Sequence, residues 1–211
     1  MAIGIFGGTF DPVHIGHLRV AEEVREFFSL EKVYFVPGYI PPHKRDQKIT
    51  NADERLRMLK MAIRGNNFLR LSEIEIQRGG VSYSIDTIRF FEKKFRDLFF
   101  LIGIDAFSEI NTWYNYKEIF YHTNFIIMIR PSYRNTPGIG ILPPDVKNDV
   151  RVIDKLTFEH ISKKRLYFHH ITQLDISSTK IRESLKNNRS IKYLVSSSVE
   201  RFINKRGLYR A

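Results

Sequence analysis

Short apolar runs alternate along this chain with longer stretches whose apolar positions recur every three or four residues. The first run, Ile3 to Phe6, stops at Gly7-Gly8, which predicts a buried strand leaving into a tight turn. From Ile15 onward, Leu18, Ala21, Val24 and Phe28 recur at helical spacing. Glu22, Glu23, Arg25 and Glu26 fill the other face, so an amphipathic helix follows. "KVYFVPG" reads as a second strand and turn, and "NADERLRMLKMAI" as a helix opened by an Asn or Asp cap. "LRLSEIEI" alternates like a half-exposed strand. "SYSIDTIRFFEKKF" carries Ile85, Ile88 and Phe95 at helical spacing, with Ser84 as its cap. "LFFLIGID" and "NFIIMIRP" are strongly apolar strands. From Pro131 to Lys164, prolines at 131, 137, 143 and 144 predict a loop with one short strand at Val150 to Ile153. "RLYFHHI" is then the last strand. "DISSTKIRESLKNN" and "SSSVERFINKRGLY" are two helices, the second stopped by Gly207.

Strands alternating with helices predict an α/β fold: a doubly wound, mainly parallel, Rossmann-like sheet with helices on both faces. A small helical region, about residues 176–211, closes the chain. No internal repeat interrupts it, and one domain over 1–211 is the simplest division. In such sheets ligands bind beyond the carboxyl ends of the strands. "GGTFDPVHIGH", "PGYIPPHK", "GIDAF" and "RPS" all follow strands, so they are expected to gather on one rim.

Composition narrows the chemistry. Hydrophobic residues make up 43% of the 211, enough for a core. No apolar run approaches the roughly 18 residues that span a bilayer, and "MAIGIFGG" lacks the basic start of a secretory signal; no membrane partner and a cytoplasmic protein are expected. The chain has no cysteine, which excludes disulfides, thiol catalysis and cysteine-bound zinc. The net charge of +11 points to anionic partners, although the basic residues are scattered apart from small clusters such as His43-Lys44-Arg45.

The stretch "GIFGGTFDPVHIGHL" concentrates that chemistry. Gly7 and Gly8 let the backbone approach a ligand without a Cβ in the way, and their N–H groups can face an anion. A helix then starts near His14 and His17, and its N-terminus carries partial positive charge. The two imidazoles, three residues apart, share roughly one face, with Gly16 between them leaving access open. Thr9 adds a hydroxyl. The residue types fit a phosphate cradle. A plain turn is the alternative. A lone His-x-x-His is at most half of a zinc site, and no Lys-Ser/Thr follows the glycines as in a Walker loop.

"GTFDPVHIGH" resembles the T/HxGH motif of the nucleotidyltransferase superfamily. With "PPHK", "SYSIDT", "LIGIDAF", "TW" and "DISSTKIR" following in order, nearly the whole chain is similar to the bacterial nicotinate-mononucleotide adenylyltransferase family. The resemblance implies transfer of the adenylyl group of ATP to nicotinate mononucleotide, by in-line attack of its 5′-phosphate on the α-phosphorus. It implies catalytic roles for His14, His17, Thr9, Lys44 and Arg182. ATP would meet Gly7, Gly8, Thr9, Phe10, His14, His17, Gly103, Asp105, Ile176, Ser177, Ser178, Thr179 and Arg182. Ser178 and Thr179 are expected to cap the helix that carries Arg182. The acceptor would meet Lys44, Tyr83, Ser84, Thr87, Asp105, Trp113, Tyr114 and Arg130, with Trp113 stacking on the pyridine ring. Mg²⁺ would arrive with ATP rather than in a protein-built metal site. The partners implied are ATP and nicotinate mononucleotide, not nucleic acid, with a homo-oligomer left open.

The sequence departs from the family at Ser84, where threonine is common, and over Pro131 to Lys164, which match poorly. Nothing assigns His160, His169 or His170, which are read as surface or strand residues. Relatives acting on nicotinamide mononucleotide, phosphopantetheine or cytidylyl donors share the opening motif and are the nearest alternatives. A nucleic-acid-binding module would use the basic charge but would need a basic stripe with interleaved aromatics.

Overall fold

The computed structural model describes residues 1–42, 49–130, 133, 138–172 and 174–210. Among these residues eight strands form one sheet: β1 (Ala2–Gly8), β2 (Lys32–Pro37), β3 (Leu69–Leu71), β4 (Asp97–Gly103), β5 (Asn124–Ile129), β6 (Val150–Val152), β7 (Thr157–His160) and β8 (Arg165–His170). Their order is β3-β2-β1-β4-β5-β8-β7-β6. The first six in that order run parallel, and β7 and β6 are added antiparallel.

Nine α-helices are described: α1 (Ile15–Phe27), α2 (Ala52–Ala62), α3 (Ile74–Arg78), α4 (Ser84–Glu92), α5 (Ile104–Ser108), α6 (Tyr116–His122), α7 (Pro144–Lys147), α8 (Ser178–Lys186) and α9 (Ser197–Arg206). They cover both faces of the sheet. Ile3 and Ile5 of β1 and Phe125, Ile127 and Ile129 of β5 pack with Ile85, Phe107 and Phe120 of α4, α5 and α6. Phe6, Ile126 and Met128 point the other way, onto Val24, Leu59, Ile181 and Ile203 of α1, α2, α8 and α9. Burial on both faces is why these strands are continuously apolar rather than alternating. The C-terminal helices thus belong to the same layer as α1 and α2.

The elements differ from expectation in four places. "LRLSEIEI" does not continue as a strand: β3 ends at Leu71 and the chain turns into α3. Alternation misled there because the inward residue is Glu75, whose carboxylate accepts a hydrogen bond from the buried Thr87 hydroxyl at 2.5 Å. Ser84 is the first helical residue of α4, not its cap; Tyr83 holds the cap position with extended backbone. Ser177, rather than Ser178 or Thr179, caps α8, its hydroxyl accepting from the Lys180 N–H at 3.2 Å. Within Pro131 to Lys164, β7 was missed. Phe158 of that strand packs edge-on against Phe168, 5.6 Å between ring centres, and buries a stretch whose charged and polar neighbours read as loop. His160, on the same strand, is buried and meets the Ser162 hydroxyl at 2.8 Å.

The sheet order reverses at β1, which lies between β2 and β4, so a crevice opens beyond the carboxyl ends of β1 and β4. The loops at this rim are drawn together by one side chain. Arg55 of α2 is only 1% exposed. Its Nη1 donates to the carbonyls of Thr9 and Gly38 at 2.8 and 2.7 Å, its Nη2 to Tyr39 at 3.1 Å and its Nε to Thr50 at 2.8 Å. The Asp11 carboxylate provides a nearby counter-charge.

Arg55→Met keeps the stem but leaves four loop carbonyls without their donor. A loss of about 3–5 kcal/mol in urea unfolding is expected. A loss below about 1 kcal/mol would show that the loops hold their positions without it.

Candidate active site

Gly7 and Gly8 end the central strand and are both exposed, while Thr9 is half-buried. Open space at Gly7 fits its expected role: a Cβ there would come no nearer than 3.9 Å to the Phe100 ring. Gly8 is constrained differently. A Cβ would lie 2.9 Å from the ring of Phe10, so glycine here makes room for a neighbour within the loop. Phe10 is 3% exposed, with φ of 50°, and its ring packs on Phe6, Phe35 and His17. Its expected contact with ATP is therefore open to its main chain, while its ring props the loop. The Asp11–Pro12 peptide that follows is cis.

His14 caps α1 with extended backbone, and its N–H donates to Nδ1 of His17, one turn on, at 3.3 Å. The two rings stack, their centres 3.6 Å apart. Burial, with Arg130 nearby, pushes His14 down to about 4. Burial, the His14 ring and Arg130 hold His17 well below the usual imidazole value. Both are neutral at pH 7. Because His17 Nδ1 accepts, its hydrogen sits on Nε2 and is available to a ligand oxygen. His14 Nδ1 is buried without a hydrogen-bond partner. Gly16 makes room for that ring: a Cβ would meet His14 Nδ1 at 3.1 Å and Ile176 at 3.9 Å. Gly16 thus clears space for an imidazole more than for a ligand.

The start of α8 closes against this loop. Ser178 Oγ donates to the Pro12 carbonyl at 2.9 Å, so its hydroxyl is used within the protein. Arg182 Nη1 donates to the Asp11 carbonyl at 2.7 Å and Nη2 to Thr179 Oγ1 at 3.2 Å. Ile176 borders Gly16, and Ser177 caps the helix. Across the crevice, Gly103 caps α5 and Asp105 lies in its first turn, 3.8 Å from Arg130 at the end of β5. Both of these side chains are exposed.

The residues expected at the acceptor form a second group. Tyr83 and Tyr114 stack at 4.5 Å between ring centres. Trp113 is half-buried and packs edge-on against Phe100, the ring that borders Gly7. Ser84 opens α4. Thr87 is different: it is 1% exposed and spends its hydroxyl on Glu75, which removes it from side-chain contact with a substrate. Lys44 lies outside the described residues. Asp11 and Arg55, to which sequence reasoning gave no role, tie the loops together. Asp11 lies within the opening motif, three residues before His14. Among the described residues no cluster of three His, Asp or Glu side chains could hold a metal ion.

A glycine-ended central strand, a histidine pair at a helix start and a second helix bearing an arginine meet at this rim. A family model described as cytidylyltransferase-like matches residues 5–184. A relative from Desulfatibacillum aliphaticivorans, described as a probable nicotinate-nucleotide adenylyltransferase, is 41% identical over 99% of this chain and 100% of its own length. A relative of the same description from Pelobacter propionicus is 41% identical over 99% of this chain and 98% of its own. A solved Plasmodium falciparum nicotinic acid mononucleotide adenylyltransferase, complexed with NaAD, shares the fold with a TM-score of 0.75 at 19% identity, covering 99% of this chain and 97% of that one. The chain belongs to the cytidylyltransferase-like family and, within it, to the nicotinate-nucleotide adenylyltransferases.

The depressed His14 value couples stability to pH. The unfolded chain binds a proton near pH 6.5, whereas the folded ring resists one until about pH 4. The stability is therefore complete above pH 6.5 and is lost as pH falls toward 4, by about 3 kcal/mol in all. Urea unfolding at pH 7, 5.5 and 4.5 should show this decline, and His14→Asn should make it shallower, leaving the part that the likewise depressed His17 contributes. An equally steep decline in the variant would place the acid sensitivity elsewhere.

Proposed function

We propose that the chain transfers the adenylyl group of ATP to nicotinate mononucleotide, yielding deamido-NAD and pyrophosphate. An oxygen of the acceptor 5′-phosphate forms a bond to the α-phosphorus. The bond from that phosphorus to the oxygen bridging the β-phosphate breaks, and the electron pair leaves with pyrophosphate. No covalent enzyme intermediate is required, so the protein's task is positioning and stabilisation of the charge that develops on phosphate oxygens. The observation that carries this reading is the neutral, stacked pair His14 and His17 at the start of α1, beside the exposed glycines that end β1.

His17 Nε2–H is a donor that does not depend on protonation of the ring. Its donation to an α-phosphate oxygen strengthens as that oxygen gains charge in the transition state. The N–H groups of Gly8 and Thr9 and the first turn of α8 add donors around the triphosphate. Arg182, oriented by the Asp11 carbonyl, faces the departing pyrophosphate. By the family resemblance, Lys44 is assigned to phosphate. On the acceptor side, Trp113 offers a flat partner to the pyridine ring. Tyr83, Tyr114 and the main chain around Ser84 border it, with Asp105 and Arg130 at the ribose and phosphate edge. The donor set consists of N–H groups and a guanidinium, which suits phosphate rather than a bare cation. Mg²⁺ carried by ATP fits this arrangement, and when bound it offsets negative charge on the phosphate oxygens.

The deciding measurement is pyrophosphate release with ATP and Mg²⁺, run with nicotinate mononucleotide and in parallel with nicotinamide mononucleotide. A strong preference for the acid is expected. Equal or reversed preference would overturn the assignment of the acceptor site, and no release with either would overturn the reaction. In the same assay His17→Ala should lower turnover by about 100-fold or more while keeping the fold and most of the ATP affinity. Undiminished turnover would remove His17 from the chemistry.

A further inference from the structure

The tail beyond α9 reaches back into the site. Gly207, in the left-handed region with φ of 61°, ends the helix, and the Leu208 N–H closes on the Ile203 carbonyl at 3.1 Å. The chain then turns again at Tyr209, whose φ of 65° is unusual for a non-glycine residue. The result places the Tyr209 hydroxyl against the opening loop, 198 residues away in sequence, where it donates to Asp11 Oδ1 at 2.6 Å. Burial and the Asp11 charge hold the phenol far above its ordinary ionisation range, so it stays a donor. Asp11 Oδ2 accepts from the Thr50 N–H at 3.2 Å, and Asp11 itself is 6% exposed. The carbonyl of the same residue holds Arg182 Nη1. The tail is pinned on both sides: Arg206 reaches Glu54 of α2, and Arg210 bridges Asn188 and Asn204.

We propose that Tyr209 is a positioning residue of the nucleotide site, fixing Asp11 so that the Asp11 carbonyl presents Arg182 to the phosphates of ATP. The proposal rests on the reading of Arg182 as a phosphate ligand. Removing the hydroxyl leaves the Asp11 carboxylate held by the Thr50 N–H alone, loosens the residue and shifts the carbonyl that orients the guanidinium. A tyrosine that merely filled space would instead affect stability and leave the substrates' affinities alone.

The test is Tyr209→Phe in the full chain, read by calorimetric titration of a non-hydrolysable ATP analogue and by steady-state kinetics. Binding of the analogue is expected to weaken about ten-fold, with the KM for nicotinate mononucleotide nearly unchanged; the melting temperature falls as well, because a buried carboxylate loses a donor, so the selective loss of ATP affinity is the readout that separates positioning from space-filling. In an Arg182→Lys background the same change should cost less than about two-fold, because the two residues act through one path. Asp11→Asn, which keeps the size of the side chain, should reproduce the selective loss and serves if the phenylalanine variant folds poorly. Unchanged ATP affinity, or a full additional loss in the Arg182→Lys background, overturns the proposal alone. A wild-type chain that binds no ATP analogue overturns the proposal together with the function on which it rests.

Discussion

A single buried guanidinium holds the rim of this sheet in shape. Arg55 arrives from α2, below the loops, and gives hydrogens to carbonyls from three separate segments: the turn after β1, the turn after β2 and the lead into α2 itself. Turns that bring backbone N–H groups outward toward a ligand leave carbonyls pointing inward. The Gly38 carbonyl is fully buried and the other three are partly so, and each would cost free energy if left unpaired. A planar cation with five donors answers several of them at once, which a lysine's point charge could not do with the same geometry. The loop that presents Gly7, Gly8 and Thr9 is thus rigid because its inner side is saturated.

Much of the architecture was legible along the chain. The strongly apolar runs at Ile3, Leu98 and Phe125 and the helical spacing after Ile15 read correctly because burial on both faces of a parallel sheet leaves a plain signal. Misreadings occurred where a polar residue was the buried one or where polar neighbours masked a strand. Glu75 is inward because Thr87 satisfies it, a contact between residues of different elements that no local periodicity records. β7 escaped because its one apolar anchor, Phe158, sits among charged and polar neighbours and meets its partner Phe168 only once the sheet is assembled.

The candidate donors stood out along the chain, and the residues that support them did not. His14, His17 and Arg182 stand in short motifs whose spacing already suggests anion chemistry. Arg55, Asp11 and Tyr209 act across separations of 46, 39 and 198 residues, and their partners are defined by the fold alone. Even the glycines changed meaning between the two levels. Gly8 and Gly16 are small to accommodate Phe10 and His14, side chains of the protein itself. Permissive residues in a ligand loop serve internal packing as well as external access.

The two outer strands of the sheet carry a different consequence. β3 and β6, at opposite ends, are each three residues long, whereas the central β1 and β4 have seven. Each outer strand places an arginine, Arg70 or Arg151, at its middle. An incoming chain would find few backbone groups to pair with and a charged side chain beside them, that of Arg151 paired with Glu159. The sheet therefore offers little at either end for growth by strand addition.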